Sequence, residues 1–185
     1  MIFHKLDKYR DEGLLILRVG IGIMFMCHGF PKLIAGPEVW TKIGGALSTM
    51  GVNFAPTFMG FMAAISEFGG GLLLTLGLLT RPACFFLLST MVVATVMHVK
   101  NGDPFVKYSH ALEAAILFFS LLFIGPGKIS LDDKLSKKML RRGRYGFLLS
   151  YPLSFCIAFF TELCFFRDFT KTSLNSASIK RPRRT

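Results

Sequence analysis

Residues 56–99 decide the fold, and their sequence is PTFMGFMAAISEFGGGLLLTLGLLTRPACFFLLSTMVVATVMHV. It consists of two apolar runs, 56–79 and 83–99, separated only by Thr80-Arg81-Pro82. Each run is close to the ~20 residues that a helix needs to cross the hydrocarbon core of a bilayer. A connection this short makes the second helix return antiparallel to the first, and proline suits the first turn of a helix. The stretch is therefore predicted to be a transmembrane helical hairpin.

Two more apolar runs flank this hairpin. Leu14–Phe30 precedes it and ends at Pro31, and Ser109–Ile124 follows it and stops at Gly125-Pro126-Gly127. The chain is 52% hydrophobic with a mean hydropathy of +0.51, which is more apolar than a typical soluble domain. Arg18 inside the first run argues against a cleaved signal peptide. We therefore predict an all-α integral membrane protein built as a four-helix bundle.

The predicted bundle occupies residues 1–133, and residues 134–185 form a basic extension. After Gly125 lie 13 of the 22 Lys and Arg residues but only 4 of the 11 Asp and Glu residues. Basic segments beside membrane spans more often face anionic lipid headgroups than nucleic acid, so the lipid bilayer is the expected partner. Residues 145–166 are apolar and long enough for a fifth span. An interfacial helix is favoured instead, because a crossing would put the basic chain end outside, against the positive-inside rule.

The distribution of basic residues also predicts the orientation of the bundle. With a cytoplasmic N-terminus, most basic residues of the short connections lie inside, including Arg81 in the turn of the hairpin. The outside connections then hold only Lys32, Lys42, Lys100 and Lys107. The positive-inside rule therefore predicts that both ends of the four-helix unit are cytoplasmic.

Arg18 and Glu67 lie inside the apolar runs, where a charge is costly and commonly functional. Glu67 is about 16 Å from Pro56 by helical rise, close to the middle of the bilayer. Arg18 is the basic residue at comparable depth on another helix, so an Arg18–Glu67 ion pair is predicted. Two interpretations stay open with equal weight. In the functional interpretation, the Glu67 carboxylate exchanges protons or binds a headgroup. In the structural interpretation, the ion pair only fixes the register of the two helices.

A second polar cluster is expected at the outside face. His28 ends the first run, His98 ends the third, and His110 begins the fourth. Glu113 follows His110 on the same helical face, and Lys32 is one turn beyond His28. These groups could converge on a pocket for a quinone headgroup or another small polar ligand. Two alternatives remain. The first is that these polar residues simply lie at helix ends in contact with water. The second is a metal site, for which the His-x-x-Glu spacing of His110 and Glu113 is weak evidence.

The order and spacing of these residues resemble the DoxX family over about residues 10–133. The resemblance rests on five motifs, which are Leu17-Arg18-Val19-Gly20, His28-Gly29-Phe30-Pro31-Lys32, Glu67-Phe68-Gly69-Gly70-Gly71, Leu76-Gly77-Leu78-Leu79-Thr80-Arg81 and Gly125-Pro126-Gly127-Lys128-Ile129-Ser130-Leu131-Asp132. It implies a small four-helix protein of a bacterial inner membrane. Related proteins are associated with quinone-linked redox chemistry, including thiosulfate oxidation, and with oxidative-stress membrane complexes. The matching polar residues are Arg18, His28, Lys32, Glu67 and Arg81, whereas the tail after Lys134 does not look like the family.

Three functions are compatible with these patterns. The first is an accessory subunit of quinone-linked redox chemistry that passes electrons with a partner protein. The second is a scaffold or assembly subunit without a ligand, and the third is a small proton-coupled transporter that uses Glu67 and forms an oligomer. No haem ligand pair, flavin motif or dinucleotide fingerprint is evident in the sequence, so a self-contained redox enzyme has no support. No metal or tightly bound cofactor is expected, and quinone is the candidate ligand.

Overall fold

The computed structural model describes residues 7–51 and 54–141, which are helical and contain no strand. The helices are α1 (Arg10–Ile34), α2 (Pro37–Gly45), α3 (Pro56–Leu76), α4 (Thr80–Lys100), α5 (Phe105–Ile124) and α6 (Leu131–Arg141). Short 3-10 turns precede α1 and follow α2. The predicted all-α fold is confirmed in this part of the chain. The predicted interfacial segment 145–166 lies outside the described residues.

Four of the helices, α1, α3, α4 and α5, are long and apolar enough to cross a membrane, which confirms the four predicted spans. Helix α3 packs antiparallel to α1 and α4, and α5 packs antiparallel to α4. The bundle therefore has two distinct ends. We call the end where α1 and α4 begin the Arg18 end, and the end where α3 and α5 begin the Lys32 end.

The first span is longer than its apolar run. Helix α1 continues through Pro31 to Ile34, so the prediction that the helix ends at Pro31 is wrong. Proline has no backbone N–H to donate. Pro31 therefore costs α1 one hydrogen bond, to the Cys27 carbonyl, and the helix continues for one more turn. The extra turn makes Lys32 a helical residue that projects from α1 near its end.

The turn of the hairpin lies earlier than expected. Helix α3 ends at Leu76, and Gly77 follows in the left-handed conformation with φ 65°. The backbone N–H groups of Gly77 and Leu78 donate to the carbonyls of Leu74 and Leu73 at 3.1 and 2.9 Å. This is the usual glycine C-cap of a helix. The connection is consequently residues 77–79, and Thr80 already belongs to α4.

Glycines bring α1 and α3 into close contact. A Cβ atom on Gly22 would overlap Thr75 and the Gly71 carbonyl, and one on Gly29 would overlap the backbone of Phe68. Small residues allow transmembrane helices to approach this closely, since packing replaces the hydrophobic effect in lipid. The contact between α1 and α5 is made by large side chains rather than by glycines. The buried rings of Phe25 and Phe118 meet edge to face, with centroids 4.8 Å apart.

Helix α2 packs across the beginning of α3 at the Lys32 end. A Cβ atom on Gly44 would overlap the Pro56 carbonyl, and one on Gly60 would overlap the Trp40 carbonyl. The Trp40 ring also packs against Phe61, with centroids 4.7 Å apart. The segment between the first two spans is thus a structured cap over one end of the bundle.

Candidate functional site

Lys32 and Glu67 form an ion pair near the Lys32 end. The Lys32 Nζ atom lies 2.7 Å from Glu67 Oε1 and 2.6 Å from Oε2. The Glu67 side chain is only 4% exposed, whereas that of Lys32 is 39% exposed. Because a buried carboxylate requires a partner, Lys32 supplies the positive charge that Glu67 needs. The same ammonium group remains accessible from one side.

Arg18 does not pair with Glu67, so the predicted Arg18–Glu67 ion pair is not formed. The Arg18 Nη2 atom donates to the Ile129 carbonyl at 2.7 Å, and Nη1 donates to the Leu74 carbonyl at 3.4 Å. Leu74 is seven residues from Glu67 on α3, about 10 Å along the helix axis. The two charges therefore lie at different depths, and each is bound by a different part of the bundle, although the buried Arg18 Nε atom has no hydrogen-bond partner among the described residues.

Aromatic residues lie close to the Lys32–Glu67 pair along the helices that carry it. Trp40 Nε1 donates to the Lys32 carbonyl at 2.8 Å, which ties α2 to the last turn of α1. The rings of Phe30 and Phe68, which are sequence neighbours of the pair on α1 and α3, have centroids 5.8 Å apart. An accessible ammonium group on apolar helices that also carry aromatic residues is suited to a ligand with a flat apolar ring and polar oxygen atoms.

The structure brings together only part of the predicted outside cluster. The rings of His28 and His110 face each other across α1 and α5 with centroids 6.3 Å apart, and both residues are exposed. Lys32 is one turn from His28 on α1, but its ammonium turns to Glu67. Glu113 is exposed on α5, and no ion pair joins it to another described residue.

His98 is engaged separately in the loop between α4 and α5. Its Nδ1 atom lies 2.8 Å from Asp103 Oδ2, and Lys107 Nζ donates to Asp103 Oδ1 at 2.8 Å. The hydrogen bond with His98, followed by the one from Lys107, lowers the pKa of Asp103. His98 therefore fixes the loop geometry and does not join the other predicted residues.

Asp132 is a structural residue that the sequence patterns did not reveal. Its carboxylate accepts hydrogen bonds from the backbone N–H groups of Leu79 at 2.8 Å and Thr80 at 2.9 Å, at the beginning of α4. Its own N–H donates to the Gly77 carbonyl at 2.9 Å. A carboxylate at a helix N-terminus satisfies free N–H groups and complements the helix dipole. Sequence alone signals such a cap only when it is local, and this one comes from beyond α5.

Arg81 lies at the Arg18 end, as the hairpin turn requires. It is exposed at the beginning of α4, and a Cβ atom on Gly125 would lie 3.6 Å from its Nη2 atom.

No group of three or more metal-binding side chains occurs within residues 7–51 and 54–141. Lys32, Glu67, His28 and His110 are the polar side chains of the candidate site that can donate or accept hydrogen bonds.

Four apolar helices with charged residues buried between them define a small integral membrane protein. The chain belongs to the DoxX family, whose model matches residues 13–99. It is 35% identical to an uncharacterized protein of Haemophilus influenzae over 142 residues, which cover 73% of this chain and 99% of that protein. No solved structure matches the chain.

Two further relatives carry descriptive names. "Inner membrane protein YqjF" of Escherichia coli is 30% identical over 136 residues, which cover 72% of this chain and 99% of that protein. "Putative oxidoreductase CatD" of Bacillus subtilis is 34% identical over 100 residues, which cover 54% of this chain and 69% of that protein. The first name agrees with the four apolar helices of this chain.

Proposed function

We propose that this DoxX-family protein is an accessory subunit of quinone-linked redox chemistry in a bacterial inner membrane, with the quinone headgroup bound at Lys32. The observation that carries the proposal is the unequal burial of the Lys32–Glu67 pair. Glu67 is 4% exposed and holds the ammonium group of Lys32, which is itself 39% exposed. The relative named as an inner membrane protein and the one named as an oxidoreductase support the location and the chemistry.

The chemistry of a quinone headgroup matches this site. A quinone presents two carbonyl oxygens that accept hydrogen bonds, and an ammonium group has three N–H donors. Two of those donors are directed at the Glu67 carboxylate, which leaves one for a ligand. A lipid-soluble ring can reach Lys32 from the bilayer and pack on the nearby aromatic side chains.

Reduction of a quinone to a quinol consumes two electrons and two protons. In this proposal a partner redox protein supplies the electrons, and residues of this chain exchange the protons. His28 and His110 are suitable for that exchange because one imidazole nitrogen can accept a proton while the other donates one. Both are exposed, and His28 lies one helical turn from Lys32. Glu113, which is exposed one turn beyond His110, belongs to the same proposed proton path.

The orientation of the chain is part of the proposal. The Arg18 end carries the basic residues at the beginning of α1 and α4 and on α6, whereas the Lys32 end carries fewer. By the positive-inside rule the Arg18 end is cytoplasmic, and the quinone site faces the periplasmic side. Reporter fusions after Arg141 and within residues 101–104 test this, since only the former should be active in the cytoplasm.

Quinone retention by the purified protein tests the ligand. The protein is extracted from bacterial membranes in a mild detergent, and bound quinone is measured by solvent extraction and chromatography. We expect Lys32→Met, alone and in the double variant with Glu67→Met, to reduce retention about tenfold or more, because a hydrogen bond from a charged donor is lost. The double variant leaves no buried carboxylate unpaired, so it separates loss of the ligand from loss of stability. Lys42→Met removes an exposed lysine from the same end of the bundle and should leave retention unchanged.

The same experiment separates the alternatives. Equal retention by the parent protein and Lys32→Met would reject the proposed site. A parent protein that carries no quinone but copurifies with a partner, independently of Lys32, would favour a scaffold subunit instead.

A further inference from the structure

Helix α6 has an unusual distribution of side chains. It begins at Leu131, directly after the last span, and was not expected as a helix from the sequence. Among residues 131–138 of this helix, whose burial the structure describes, the exposed apolar residues are Leu131 and Leu135, which are 38% and 40% exposed and one helical turn apart. Asp132 and Ser136, on another face of the helix, are partly buried. Over residues 131–138 the helix therefore turns Asp132 and Ser136 toward the protein and Leu131 and Leu135 away from it.

Exposed lysines lie along one side of the two leucines. At about 100° per residue, Lys138, Lys134 and Lys137 follow one another around the helix on one side of the Leu131–Leu135 stripe, with Lys138 next to Leu131. All three lysines are exposed, and the Nζ atom of Lys137 also forms an ion pair with Asp133 one turn earlier. An apolar stripe bordered by long basic side chains is the pattern of a helix that lies in the interface of a membrane, with lysines reaching toward the headgroups.

The attachment of α6 places it at the boundary of the bilayer. Asp132 in the first turn of α6 is hydrogen-bonded to Leu79 and Thr80, where a membrane-spanning helix begins. Ile129, just before α6, accepts a hydrogen bond from Arg18 at the same end of the bundle. The first turn is therefore held at the level where the spans end, which is the depth of the lipid headgroups.

We propose that α6 lies in the membrane interface and binds anionic phospholipid headgroups through Lys134, Lys137 and Lys138. The complementary charge selects an anionic lipid, and the outward leucines favour a lipid surface over bulk water. Each lysine near an anionic surface strengthens the association about fivefold. This inference is independent of the proposed quinone site, which lies at the opposite end of the bundle.

Fluorescence quenching by brominated lipids tests the proposal. The full chain with Leu135→Trp is reconstituted into mixed phosphatidylglycerol and phosphatidylcholine vesicles, with bromine on one lipid or the other at equal mole fraction. The parent protein, which has Trp40 as its only tryptophan, provides the baseline. We expect the added tryptophan to be quenched by both lipids, and more strongly when phosphatidylglycerol carries the bromine.

Two sets of lysine substitutions complete the test. Adding K134Q, K137Q and K138Q should abolish the preference for phosphatidylglycerol. Adding K42Q, K100Q and K107Q removes the same number of charges from the Lys32 end and should preserve the preference. The proposal is overturned if neither lipid quenches the added tryptophan, which is the result expected if the Leu131–Leu135 face packs on protein or faces bulk water. It is also overturned if both triple variants keep the same preference.

Discussion

Arg18 in the first span donates a hydrogen bond to the carbonyl of Ile129, which follows the last span, at a distance of 2.7 Å. Arg18 is only 1% exposed, so the hydrogen bond lies inside the bundle. A buried guanidinium thus joins the beginning of the four-helix unit to its end. Its acceptors are backbone carbonyls, which distinguishes it from the carboxylate-bound Lys32.

Removing this guanidinium should destabilise the protein. We expect Arg18→Met to lower the free energy of unfolding by about 3 kcal/mol, because two hydrogen bonds from a charged donor are lost and the Ile129 carbonyl is left without a donor. Arg10→Gln, at an exposed position near the beginning of the same helix, should change it by less than about 0.5 kcal/mol. Thermal unfolding in detergent measures both. Equal stability of the two variants would contradict a structural role for Arg18.

The two partners of the Lys32–Glu67 pair should respond differently to substitution. Lys32→Met leaves a buried carboxylate without a counterion and should cost about 3 kcal/mol or more. Glu67→Gln leaves only a partly exposed ammonium, so the cost should be about 1 kcal/mol. The double variant Lys32→Met with Glu67→Met should recover most of the loss, since apolar residues can replace an ion pair. Unfolding of all three variants in detergent checks the order, and equal single-variant losses would refute it.

Adjacent glycines in α2 provide a matched test of close packing. Gly44→Ala would place a methyl group against the Pro56 carbonyl, and we expect a loss of about 2–3 kcal/mol from overpacking. Gly45→Ala meets nothing within 4 Å and has φ −60°. It should therefore be neutral or stabilising by up to about 1 kcal/mol, because alanine favours helix. Similar melting temperatures for the two variants would show that α2 does not pack on α3 in this way.

The loop between α4 and α5 should show acid sensitivity. The hydrogen bonds from His98 and Lys107 lower the pKa of Asp103, so ionised Asp103 stabilises the folded state. That contribution is fully present above the unfolded pKa of about 3.9 and disappears as the pH falls through the lower folded value. The melting temperature should therefore drop more between pH 5 and pH 3 in the parent protein than in Asp103→Asn. Glu38→Gln, at an exposed position, should follow the parent, and parallel curves for Asp103→Asn would contradict the prediction.

The membrane spans were predictable because hydropathy and length are local properties of the chain. The runs 56–79 and 83–99 correspond to α3 and α4, and their separation by a short connection dictates a hairpin. The exact turn depends on Gly77, whose left-handed conformation ends α3 three residues before the apolar run ends. An apolar run therefore identifies a span, but its boundary residues depend on capping.

The ion pairs were not predictable because they depend on how far one helix continues and which way it faces. Helical rise along the apolar runs predicts Arg18 opposite Glu67. A first helix that ends at Pro31 leaves Lys32 in a connection, where it counts toward the outside cluster but not as the partner of Glu67. The continuation of α1 to Ile34 brings Lys32 to Glu67, while Arg18 reaches backbone carbonyls that no side-chain pattern reveals. Likewise, Asp132 caps a helix that begins 52 residues earlier in the chain.

This distant cap has a consequence for biosynthesis. Helix α4 emerges from the ribosome well before Asp132, and at typical elongation rates of about 5–20 residues per second the delay lasts several seconds. During that interval the free N–H groups of Leu79 and Thr80, and the guanidinium of Arg18, must be satisfied by water, lipid or the insertion machinery. A nascent chain that stops before residue 129 should therefore insert its helices but lack a closed bundle, and it should be a preferred substrate for membrane quality-control proteases.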